Sequence, residues 1–123
     1  MATSFAYNDF YFPPAPVADV IIRANSEVMA IALLDSGADG SVIPYPLLST
    51  IGAKFVRTHR MTGITGASTM VDLYMVQVQI GDFTLRGVKA VASRTGNEVI
   101  LGRDVLNHLI ITLDGIAGIT EIS

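Results

Sequence analysis

Asp35 is the residue of this chain best placed to do chemistry, within the stretch LLDSGADGSVIP that runs from Leu33 to Pro44. It follows an apolar run and precedes Ser36 and Gly37. A buried strand rarely ends in a carboxylate without a use for it. The Ser36 hydroxyl can fix a tight turn, and Gly37 lets the backbone approach another chain or a ligand closely. Such a turn holds an acid rigidly at the floor of a cleft. An isolated Asp-Ser-Gly is more often an ordinary turn, so the rest of the chain has to decide. A second apolar segment, VILGRDVLNHL, lies far downstream from Val99 to Leu109. Between the two, MTGITGAST (Met61 to Thr69) carries a glycine-bearing loop ahead of a long apolar run.

These pieces need a scaffold, and the scaffold reads as mostly β. Gly and Pro punctuate short apolar segments at the spacing of a β domain. Strands are predicted at Val17 to Ala24, Val28 to Leu34, Met70 to Ile80, Phe83 to Ala92, Val99 to Leu101 and Leu109 to Leu113. The clearest hairpin is MVQVQIGDFTLRGV, turning at Gly81 and Asp82. The one good helix candidate is GRDVLNHL, with Asp104 in its first turn, where a negative charge suits the helix dipole. The C-terminal LDGIAGITEIS looks like a further hairpin. Residues 1–16 form a separate, Pro-containing segment rich in aromatics (Phe5, Tyr7, Phe10, Tyr11, Phe12), and residues 17–123 form the domain proper. So aromatic a segment is expected to pack on its own body or on a partner rather than trail free.

Composition narrows the choice of function. With 123 residues, 50% hydrophobic and 15% charged, the chain is one domain with more apolar surface than one core hides, which hints at oligomerisation. The net charge of -3 and the absence of any Lys/Arg run argue against nucleic acid. The chain has no cysteine, which excludes disulfides, thiolate catalysis and Cys-based zinc sites. His59 and His108 stand alone, so packing or solvent contact is expected of them and no metal or cofactor is called for. There is neither a leader-like N-terminus nor a run of membrane-spanning length, so no membrane is expected and the cytoplasm is the default location.

The order, spacing and flanking apolar residues of the three pieces resemble the retropepsin-like aspartic proteases over roughly Val17 to Leu113. The resemblance implies a closed β barrel of the acid-protease fold with one short C-terminal helix, working as a C2 homodimer on polypeptide substrates. It makes Asp35 the catalytic aspartate, Ser36 the residue that locks the two active-site loops together, and Gly37 the glycine beside bound substrate. It pairs Asp39 with Arg103 in a structural ion pair. It makes the loop around Gly63, Ile64 and Thr65 a flap, with Gly66 helping the turn. Leu33, Ala38, Asp39, Val42 and Ile100 become substrate-binding positions.

Peptide hydrolysis by carboxylates needs one ionised group to take a proton from water and one protonated group to polarise the carbonyl. One Asp cannot do both, and Asp-Ser-Gly occurs once. A C2 dimer answers this, because an isologous contact places a residue near the axis beside its twin. The two carboxylates would share a proton, giving a rate maximum on the acid side of neutrality and sensitivity to pepstatin-type inhibitors. The alternatives are a catalytically silent dimer of the same fold that binds extended peptides, and a structural β domain of a larger assembly.

Overall fold

The computed structural model describes residues 2–123. Its elements are β1 (Thr3–Ala6), β2 (Val17–Arg23), β3 (Glu27–Leu34), β4 (Val42–Pro44), α1 (Tyr45–Thr50), β5 (Lys54–Thr62), β6 (Ser68–Ile80), β7 (Phe83–Ser93), β8 (Val99–Leu101), α2 (Arg103–Leu106), β9 (Ile111–Asp114) and β10 (Ile119–Ile122).

Six strands close into a ring. The hydrogen-bonded order runs β2, β3, β8, β4, β7, β6, and β6 pairs back onto β2 through Ile21↔Gln79, Ile22↔Val78 and Arg23↔Gln77. Closure leaves these strands without a free edge. Alternation fills the interior: Ala18, Val20 and Ile22 from β2, Ala32 from β3, Ile43 from β4, and Val78 and Ile80 from β6 are all at most 2% exposed. Burying each large side chain contributes about 1.5–3 kcal/mol. The length of β6 decides what projects from the barrel. Its C-terminal part is spent on β2 and β7, and its first residues pair only with β5, from Thr62↔Ser68 to Thr58↔Asp72. The β5–β6 tip therefore stands clear of the ring as a two-stranded arm.

A second, three-stranded sheet has the order β1, β10, β9. The aromatic N-terminal segment joins it within the same chain, Thr3↔Ile122 through Ala6↔Ile119, so β1 and the C-terminal hairpin share one sheet.

The sequence reading named a single helix, and the structure adds α1. Its residues, YPLLST, include Pro46, which reads as a breaker but is tolerated in a first helical turn. Leu48 anchors this helix, fully buried. The expected C-terminal helix is a single turn, Arg103–Leu106, and the strand expected from Leu109 starts at Ile111. No helix among the described residues is long and apolar enough to cross a membrane.

Candidate active site

Asp35 is the first residue beyond β3, and the barrel fixes it from behind. Its N–H donates to the Leu101 carbonyl of β8 (3.0 Å), which continues the parallel pairing Leu34↔Leu101. The turn then closes on the acid itself: the Gly37 N–H donates to Asp35 Oδ1 (2.9 Å) and the Ala38 N–H to the Asp35 carbonyl (3.1 Å). The carboxylate is half-buried and Ser36 and Gly37 are exposed, so the acid faces solvent from a rigid seat.

Most tethers of the loop converge on the short segment around α2, besides the Val91 N–H of β7, which donates to the Ser41 carbonyl (2.9 Å). The Arg103 N–H donates to the Ala38 carbonyl (2.9 Å), and the Arg103 guanidinium donates both to the Ser36 carbonyl (2.6 Å) and to Asp39. Ser41, wholly buried, lies at the loop's far end. Its hydroxyl donates to Asp104 Oδ1 (2.8 Å) and accepts from the Gly102 N–H (3.1 Å), while its N–H donates to Asp104 Oδ2 (3.1 Å). Gly102 is the contact point. A Cβ there would sit 2.8 Å from the Ala38 carbonyl oxygen and from the Gly40 backbone, so only glycine lets the two segments touch. The Ser41–Asp104 pair was not picked out from the sequence, because a serine after a Gly reads as an ordinary loop residue and its partner lies 63 positions away.

Opposite the loop stands the β5–β6 arm. Its tip is a turn in which the Gly63 N–H donates to the Ala67 carbonyl (2.9 Å) and the Gly66 N–H to the Gly63 carbonyl (3.0 Å). Gly66 takes φ +84, a left-handed conformation, whereas Gly63 needs no such freedom. Ile64 is fully exposed at the apex. Between arm and loop lies a groove of about 520 Å³. Ala38, Asp39, Val42, Gly63 and Ile64 line it together with Met61 and Val71 from the arm's inner face, and Thr65 does not. Leu33 and Ile100 lie outside this lining, yet Ile100 pairs with both Leu33 and Val42 and shares their outward face. His59 lies exposed on β5 and His108 exposed beyond α2, neither at the groove. Among the described residues no cluster of three His, Cys, Asp or Glu side chains could hold a metal ion.

The site is thus a carboxylate on a fixed turn, with an apolar groove beside it and the β5–β6 arm above. The comparisons with known proteins agree. Residues 20–105 match the family described as "Aspartyl protease". No curated protein matches the chain. Among solved structures, a retropepsin-like aspartic protease from Rickettsia conorii superposes with a TM-score of 0.70 at 13% identity, covering 99% of this chain and 90% of that one. EIAV protease, solved in complex with the inhibitor HBY-793, superposes with a TM-score of 0.58 at 23% identity, covering 76% of this chain and 86% of its own. At these identities the superpositions speak for a retropepsin-like fold, and the sequence match, which runs from β2 through the Asp-Ser-Gly turn and the arm into α2, speaks for descent: the chain belongs to the aspartyl protease family.

Proposed function

We propose that the chain is an aspartic endopeptidase in which two copies of Asp35, one from each subunit of a C2 homodimer, activate a water molecule against a peptide bond. The observation that carries this reading is the seat of Asp35: a half-buried carboxylate fixed by its own turn, beside a groove roofed by an arm. Two such carboxylates brought together at an axis cannot both keep their charge, so they hold one proton between them. The ionised member takes a proton from water, the protonated member polarises the scissile carbonyl, and the roles exchange as the amine leaves. No covalent intermediate is needed. In this reading Gly37, beside the acid, offers backbone to the substrate, and Ser36, exposed next to it, bonds across the axis. Substrate lies extended, with side chains alternating into apolar positions such as Val42, Val71 and Met61, under the tip formed by Gly63, Ile64 and Thr65. The domain that does this spans residues 17–123.

Asp35→Asn tests the reading. The amide fills the same space but cannot exchange the proton, so the variant is expected to stay folded and dimeric while peptide cleavage falls by far more than tenfold. A loss of under about tenfold, or ~1.4 kcal/mol, would show that Asp35 does not do the chemistry. The unmodified chain should also lose specific activity on dilution as dimers separate, with pepstatin-type inhibitors binding it and not the Asn variant. Peptide binding by the unmodified chain without any turnover would select the silent binding domain instead.

A further inference from the structure

Residues 8–15 form a loop that the catalytic machinery above does not use. Asn8 and Ala15 exchange backbone hydrogen bonds of 2.8 and 3.1 Å at its base, and Phe10, Tyr11 and Phe12 lie within it. Its exit is tied to the active site, since the Leu34 N–H, one residue before Asp35, donates to the Pro16 carbonyl (3.1 Å).

Sheet register shows where the loop lies. Val42 pairs with Ile100, Ile100 with Leu33, Leu33 with Val17, and Ile31 with Asp19. Paired residues project to the same side, as do residues two apart on one strand. One outward face therefore runs unbroken from Val42, in the groove wall, across Ile100 and Leu33 to Val17 and Ile31. At its far end Phe10 joins Val17, Asp19 and Ile31 in lining a depression of about 420 Å³. Tyr11 turns toward Glu98, two residues before Ile100; partial burial first, then the Glu98 carboxylate, push its phenol ionisation upward. The loop thus stands beside the cleft and continues its wall.

Its chemistry is lopsided. Phe10 is 97% exposed, Phe12 101%, and Ile31 58%, a concentration of bare apolar surface that has a use. Asp9 and Asp19 border the depression, Glu98 stands beside Tyr11, and among the described residues no Lys or Arg lines the depression.

We propose that the loop of residues 8–15 is a substrate-recognition element that extends the cleft beyond the scissile bond, taking a polypeptide segment in which an aromatic or large aliphatic side chain stands beside a Lys or Arg. The apolar side chain covers Phe10 and Ile31. The cation meets Asp9, Asp19 or Glu98 and the open faces of the phenylalanine rings. This rests on the reading of the groove as a polypeptide site, and its test is built to fail separately from that reading.

The test measures binding rather than turnover. Fluorescence anisotropy on the Asp35→Asn protein compares a labelled apolar core peptide of about six residues, roughly 20 Å when extended, with the same core lengthened at either end by a Phe-Arg segment. One lengthened peptide is expected to bind about tenfold tighter than the core, or about 1.4 kcal/mol. Phe10→Ala combined with Phe12→Ala is expected to bring it down to the affinity of the core, and Glu in place of the peptide Arg to remove most of the gain. Equal affinity of core and lengthened peptides on the parent protein would overturn the proposal, as would a gain that survives the double substitution. So would a double variant whose only change is weaker dimerisation by sedimentation, which would assign the aromatics to a subunit contact. Cleavage by the unmodified chain is scored independently: loop-dependent binding without cleavage removes the enzyme and keeps the loop, and cleavage without loop-dependent binding does the reverse.

Discussion

Ser41→Ala deletes a single oxygen, and the structure says that oxygen is used twice. It donates to Asp104 Oδ1 at 2.8 Å and accepts from the Gly102 N–H at 3.1 Å, in a residue with no solvent exposure. Alanine leaves the buried Gly102 N–H without an acceptor, a loss of about 1–3 kcal/mol. It also removes one donor from the Asp104 carboxylate, which is only partly buried and keeps the Ser41 and Val105 N–H groups, so that part is worth about 1 kcal/mol. The sum is about 2–4 kcal/mol. For a domain of this size the unfolding entropy is roughly 0.26 kcal/mol per kelvin, from about 2.1 cal/mol/K per residue. The melting temperature should therefore fall by about 8–15 °C. Circular dichroism melts at one fixed protein concentration measure it, because a dimer's midpoint moves with concentration. The companion measurement is a double-mutant cycle of Ser41→Ala with Asp104→Ala, in which a real contact gives a coupling of at least about 0.5 kcal/mol. A melting shift under about 3 °C together with no coupling would refute the claim that this pair ties the Asp35 loop to α2.

Gly102→Ala pushes a methyl into the Ala38 and Gly40 backbone at 2.8 Å, so the loop must shift; stability should drop by about 1–3 kcal/mol and activity should fall with it, read by melts and by kcat on one peptide. Asp39→Asn should change little: its side chain is 86% exposed and that of Arg103 42%, so the pair is worth under about 1 kcal/mol, and a melting shift beyond about 4 °C would contradict this. Ile64→Ser alters a fully exposed apex, so the melting point should hold while KM rises several-fold, and an unchanged KM would remove Ile64 from substrate contact.

Local pattern carried far through this fold because its barrel strands are short, apolar and bounded by Gly or Pro. The Asp-Ser-Gly turn, the Gly81-Asp82 hairpin and the single turn at Arg103 were all legible in the sequence. Four elements were not, β1, β4, β5 and α1, and the last two show why. β5 reads KFVRTHRMT and is exposed along most of its length, since it pairs only with β6 and covers no core; there is little alternation to see. α1 has six residues and a proline, too few for a helical period, and only the buried Leu48 shows that packing rather than propensity makes it helical. Pairings between distant segments were equally hidden, above all β1 on β10, which joins the two ends of the chain.

The residue types around the site divide by the same rule. Asp35, Ser36, Gly37, Asp39 and Arg103 are visible because their spacing is local or belongs to a short motif. Ser41, Gly102 and Asp104 matter through one three-way contact across the fold. That contact changes how a dimeric enzyme of this kind would be assembled. Leu101, Gly102, Arg103 and Asp104 hold the Asp35 loop at its start, middle and end through bonds made within one chain. These bonds that seat the acid therefore call on no residue outside the chain. In the proposed dimer a second subunit would add the second carboxylate and the Ser36 contact to a seat that its own chain already holds. Lesions behind the loop should then weaken the folded chain and its chemistry together, whereas lesions on the arm, which no core residue supports, should touch substrate binding alone.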